Sequence, residues 1–116
     1  MKPTAPLARH TLLELHGCDA ALLNRPDDLK TLLLEAVRRG QGTIVTEVFH
    51  TFSPHGVSGV VVIAESHVAI HTWPEHSYAA VDIFSCGTKL DHPAIREWIR
   101  TGLHAETVES RELARG

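Results

Sequence analysis

Apolar positions along the chain change their spacing several times, and each change marks an element. Between His10 and His16 they alternate loosely, with Leu13 and Leu15 on one side, before Gly17-Cys18-Asp19 turns the chain; this reads as a first strand. From Pro26 to Arg39, Leu29, Leu33, Ala36 and Val37 recur at helical spacing, Pro26, Asp27 and Asp28 suit a first turn, and Gly40 suits a stop. Thr43–Phe52 is rich in β-branched residues, and Val57–Ala64 is a nearly continuous apolar run. His67–Trp73 and Tyr78–Ser85 follow at short intervals, so four more strands are expected. Their connections are too short for crossover helices, which predicts mainly antiparallel pairing. Asp91 caps a second helix through Ile95, Trp98, Ile99 and Leu103, with Pro93 in its first turn. The fold class is α+β: a two-layer sandwich with a mainly antiparallel sheet and two helices on one face. Ala105–Val108 is read as a short edge strand, and the closing ESRELARG as a solvated tail.

Composition narrows the class. At 116 residues with 43% hydrophobic content the chain is one globular domain, 1–116. A domain of this size makes a deep ligand site more easily between two copies than inside one, so a homodimer is expected. A net charge of −3 with no basic run argues against nucleic acid. No apolar run approaches the roughly 20 residues of a membrane span, and the start lacks a signal-peptide core. A cytoplasmic location follows, in which Cys18 and Cys86 are expected as free thiols.

Chemistry concentrates between Gly56 and Gly87, in GVSGVVVIAESHVAIHTWPEHSYAAVDIFSCG. Ser66 offers a hydroxyl nucleophile, His71 a base that titrates near neutrality, and Cys86 a thiol. On one straight strand Ser66 and His71 would point to opposite faces. Their cooperation therefore predicts a sharp bend at Glu65-Ser66 that ends one strand and starts the next. Five of the six aromatic residues, Phe49, Phe52, Trp73, Tyr78 and Phe84, lie between positions 49 and 84, where a flat ring could meet a planar or cationic ligand.

Three readings of this region compete on the residues alone. His50, His55, His67, His71 and His76 with Glu75 could hold a metal, although their spacings match no familiar signature and strand parity divides His50 from His55. Ser66, His71 and Asp82 could form a hydrolase triad, although a G-x-S-x-G elbow is missing. A ligand-binding or assembly module would leave Ser66 intact.

The same stretch, with HTLLELHGCDA, GTIVTEVFHTF and DIFSCG elsewhere, resembles the small prokaryotic S-adenosylmethionine decarboxylases. The resemblance covers most of the chain. It implies a proenzyme that cuts itself between Glu65 and Ser66, giving a beta chain 1–65 and an alpha chain 66–116. Ser66 would attack the preceding carbonyl; the resulting ester would eliminate, and Ser66 would become a pyruvoyl cofactor. By the same resemblance, His71 assists processing at the ester stage, Ser58 supports it, and Cys86 donates the proton that follows loss of carbon dioxide. The substrate amine would form a Schiff base with the pyruvoyl ketone, and the product would supply aminopropyl groups for spermidine synthesis. Phe52, Val68 and Glu75 match substrate-contact positions, Glu75 the one expected to hold the ribose hydroxyls, and no metal is implied. The homodimer is expected to have its sites at or near the subunit interface. Two departures stand out: Ser77 replaces an expected glycine, and the chain ends soon after its second helix. They keep ornithine or arginine open as substrates for the same chemistry.

Overall fold

The computed structural model describes all 116 residues. The chain runs β1 (Ala8–His16), α1 (Pro26–Arg39), β2 (Ile44–Thr51), β3 (Val57–Ile63), β4 (Ser66–Trp73), β5 (Tyr78–Cys86), α2 (His92–Gly102) and β6 (Thr107–Arg115). The strands make one sheet in the order β2-β3-β4-β5-β1-β6. Every neighbouring pair is antiparallel, as the short connections from β2 to β5 required of those four strands.

Both helices cover one face, giving the expected α+β sandwich. Alternation decides which residues they cover. Leu13 and Leu15 of β1, Val61 and Ile63 of β3, Val68 and Ile70 of β4, and Val81 and Ile83 of β5 are buried there. They pack with Leu29, Leu33 and Val37 of α1 and Ile95 and Ile99 of α2 in a single core. Pro26 opens α1 with Asp27 and Asp28 in its first turn and Arg38 and Arg39 in its last, charges that suit the helix dipole. Asp91 caps α2 by accepting the N–H of Ala94 at 3.0 Å. Gly40 ends α1 without a left-handed backbone, φ being −85°. Its lack of a side chain matters for another reason: a Cβ there would stand 2.5 Å from Ile95.

Two expectations about strands need correction. The chain's end is no solvated tail: β6 pairs with β1 from His16↔Thr107 to Ala8↔Arg115. Its side chains are almost all exposed, so no alternation betrays it; backbone hydrogen bonds to the otherwise open edge of β1 hold it. The bend at Glu65-Ser66 exists, as a tight turn through Ala64 and Glu65 that closes on Ile63↔Ser66. It precedes Ser66, however, and leaves Ser66 and His71 on the same strand.

Candidate active site

The uncovered face of the sheet carries the opposite parity: His67, Ala69, His71 and Trp73 from β4, with Ser58, Val60 and Val62 from β3. Toward the other edge, Ala80, Asp82 and Phe84 of β5 stand beside His10 and Glu14 of β1. Several large apolar side chains lie exposed on this face, among them Val48, Phe52, Val62, Trp73 and Leu113. Site residues gather at its two ends.

At one end is the Glu65–Ser66 peptide. Ser66 has φ 154°, a backbone region that L-residues rarely adopt and that marks stored strain. The carbonyl oxygen of Glu65 accepts the backbone N–H of Cys86 at 3.0 Å, so a donor already stands where negative charge would develop if that carbonyl were attacked. The Glu65 side chain is anchored too. One oxygen accepts the Thr43 N–H at 3.0 Å and the other faces Lys89 Nζ at 3.3 Å. The Thr43 bond first, and Lys89 with it, holds the Glu65 carboxyl below its ordinary pKa. Cys86 is exposed, whereas Cys18 is buried and unpaired, with its thiol pushed up to about 11 by desolvation.

At the other end, Ser58 Oγ lies 2.8 Å from His71 Nδ1, across the Ser58↔His71 rung. Phe52, Ser58, His71, Trp73 and Glu75 line a pocket of about 300 Å³. Glu75 Oε2 accepts from His55 Nε2 at 3.0 Å. Its own backbone N–H, then His55, lowers its pKa, leaving an exposed anion at the mouth. Trp73 stacks on Tyr78 with centroids 5.2 Å apart, and Phe52 is edge-on to His50.

Several sequence expectations are relocated by this geometry. Ser66 and His71 are five residues apart on β4, which separates them by about 17 Å and by parity, so within one chain they do not meet. Val68 faces the helices and is fully buried, so β-strand alternation turns its side chain into the core and leaves only its backbone within reach of a ligand. Asp82 does not complete a triad with His71. Its Oδ2 accepts from both His10 Nε2 at 2.9 Å and His67 Nε2 at 3.0 Å.

The five histidines considered as metal ligands are scattered as well. The three groups that converge are His10, His67 and Asp82, with ligand atoms within 4.8 Å of one another. His10 had drawn no notice because it is 72 positions from Asp82. Arg115 NH1 donates to His10 Nδ1 at 2.9 Å, which fixes the proton of a neutral ring on Nε2, toward Asp82. Ser85, the cross-strand partner of Ser66, and His92, 2.7 Å from the Ser85 hydroxyl, are both buried and were also missed: a lone serine and a lone histidine carry no signal of their own.

The fold and this end of the sheet define a class: a one-layer antiparallel sheet backed by two helices, with a strained serine at the tip of a hairpin beside a free cysteine. The sequence model of the S-adenosylmethionine decarboxylase family matches residues 9–116. The chain is 44% identical over 110 residues to the S-adenosylmethionine decarboxylase proenzyme of Acidithiobacillus ferrooxidans, covering 95% of this chain and 83% of that one. It is equally similar to the proenzyme of Acetivibrio thermocellus, of which it covers 89%. The crystal structure of the adenosylmethionine decarboxylase from Aquifex aeolicus superposes with a TM-score of 0.89 at 36% identity, over 97% of this chain and 93% of that one. The chain belongs to the S-adenosylmethionine decarboxylase family.

Proposed function

We propose that this chain is a proenzyme that cleaves itself between Glu65 and Ser66, into 1–65 and 66–116, and then decarboxylates S-adenosylmethionine. The observation that carries the reading is the scissile peptide itself: a strained serine whose preceding carbonyl already accepts the Cys86 N–H at 3.0 Å. Attack by Ser66 Oγ would relieve the strain and place the new oxyanion against that donor. When formed, the ketone derived from Ser66 supplies the carbonyl that takes the substrate amine and draws electrons from the bond that loses carbon dioxide. The chain's own residues do the rest. Cys86, adjacent to Ser66 on the next strand, delivers the proton to the decarboxylated carbon. Glu75 holds the ribose hydroxyls, Phe52 and its neighbours present rings to the adenine and sulfonium, and Ser58 orients His71 for processing at the ester stage.

These roles demand two copies. The Glu65–Ser66 peptide and Cys86 lie at one end of the sheet, whereas Ser58, His71 and the Phe52–Glu75 pocket lie at the other. A homodimer that packs open face on open face about a two-fold axis brings opposite ends together and covers Val48, Val62, Trp73 and Leu113, which are exposed in the single copy. Each site then draws Ser66 and Cys86 from one copy and His71 and Glu75 from its partner. No helix is long and apolar enough to cross a membrane, and a working Cys86 thiol suits the reducing cytoplasm.

The test is direct. On a denaturing gel the chain should resolve into 1–65 and 66–116, the second fragment lacking a free amino end and losing activity to borohydride in the presence of substrate. Carbon dioxide release should be measured from S-adenosylmethionine, ornithine and arginine side by side. A folded chain that stays whole on prolonged incubation, with or without a diamine activator, would overturn the reading; release from ornithine or arginine alone would overturn the substrate.

A further inference from the structure

The first step of self-cleavage, attack by the Ser66 hydroxyl, needs a group to take its proton, and His71 acts only later. On the side of the sheet away from the open face lies a chain of polar groups with no part in the reading above. Ser85 is the direct partner of Ser66 in the β4–β5 ladder, so their Cβ atoms are about 4.5–5.5 Å apart. Both rungs at Ser66 lead to the helix side, since Ser85 and Ile63 are buried there. Ser85 Oγ is 2.7 Å from His92 Nε2, and His92 Nδ1 is 2.7 Å from Thr11 Oγ1. The relative exposures of Ser85, His92 and Thr11 are 0%, 2% and 4%.

A polar trio at that depth needs every member satisfied and adds little stability over an apolar core. This one is satisfied, and it ends beneath the scissile bond. Burial, with the Arg9 guanidinium nearby, lowers the pKa of His92, so the ring is neutral at neutral pH and keeps one lone pair. With Nδ1–H donating to Thr11, Nε2 accepts from Ser85, and the Ser85 oxygen is free to accept from Ser66.

We propose that Ser85, His92 and Thr11 form a buried proton relay for the first step of self-cleavage. Ser66 Oγ bonds to the Glu65 carbonyl carbon while its proton passes to Ser85 Oγ and the Ser85 proton passes to His92 Nε2. The Glu65–Ser66 C–N bond then breaks, and the proton returns through Ser85 to the Ser66 nitrogen. An amide becomes an ester and a free amine, with no atom gained or lost. Ser85 is the member that meets Ser66; His92 and Thr11 are positioning residues that act through it.

The inference rests on cleavage at Glu65–Ser66, and the experiment separates the two. Freshly synthesised precursor is followed on a denaturing gel, with melting temperature as the check on folding. Wild-type chain that never yields the two fragments defeats the cleavage reading itself. If it does cleave, Ser85→Ala should slow conversion on the order of 10²-fold, the usual contribution of a positioned acid or base, and Ser85→Thr, which restores the hydroxyl, should recover most of the rate. His92→Gln keeps a hydrogen-bonding amide but cannot shuttle a proton, so it should cleave as slowly as Ser85→Ala. In a His71→Ala background, hydroxylamine cuts accumulated ester and reads the first step alone; its yield should fall when His92→Gln is added. Folded Ser85→Ala or His92→Gln chains that cleave at the wild-type rate would overturn the relay.

Discussion

Glu65 and Cys86 meet because a hairpin turn and a strand end are set side by side by the β4–β5 ladder, the Cys86 N–H donating to the Glu65 carbonyl at 3.0 Å. Under the proposed function that contact gives Cys86 two separable parts, a backbone N–H for cleavage and a side chain for turnover. Cys86→Ala should therefore still yield both fragments on a gel, yet release carbon dioxide at least tenfold more slowly; unchanged turnover would remove the thiol from the mechanism. The two cysteines should also label differently. Burial raises the Cys18 thiol to about 11, so at pH 8 it is protonated as well as enclosed. Iodoacetamide should modify Cys86 in native protein and Cys18 only after denaturation, as mass spectrometry of the fragments would read. Ser77 carries a local backbone cost. It sits at φ 48°, ψ 39°, a left-handed conformation in which glycine is at ease and serine is strained. Ser77→Gly should raise stability by about 0.5–1 kcal/mol, visible as a rise of a few degrees in melting temperature.

Among the elements, β3 and β6 owe their places to different forces. On β3, Gly59 faces the ring of Phe49 across the Gly59↔Phe49 rung, and a Cβ there would lie 2.1 Å from that ring. Gly59→Ala should push Phe49 aside and destabilise the fold by about 1–3 kcal/mol, the usual cost of overpacking; a melting curve coincident with wild type would refute the close approach. By contrast β6 buries almost no side chain. It is held by the ladder to β1 and protects an edge that would otherwise be open to pairing. This is why the edge strand read as Ala105–Val108 falls short of the nine-residue Thr107–Arg115: a strand exposed on both faces has no hydrophobic period. Helices α1 and α2 were readable almost to their ends, since their apolar stripes and caps are local.

For the whole molecule the decisive distance is that between Ser66 and His71. Mixing inactive Ser66→Ala and His71→Ala chains should restore cleavage of the His71→Ala chain alone, because in the proposed dimer a mixed pair would contain one site with both residues intact. No cleavage in the mixture, where each chain folds, would sink the two-copy site. What the sequence determined by itself is everything that depends on neighbours in the chain: two amphipathic helices, five strands of the sheet, and the Glu65-Ser66 dipeptide with Ser58, His71 and Cys86 around it. Alternation and capping are short-range, and the chemistry of a dipeptide is written in its residues. What only tertiary structure decided is which of those residues share a place. The ladder turns Val68 into the core and puts His71 at the far end of the sheet from Ser66. It also joins Asp82 to His10 across 72 positions and Thr11 to His92 across 81. Such pairings follow from strand order and register, which depend on the whole sheet packing at once against its helices.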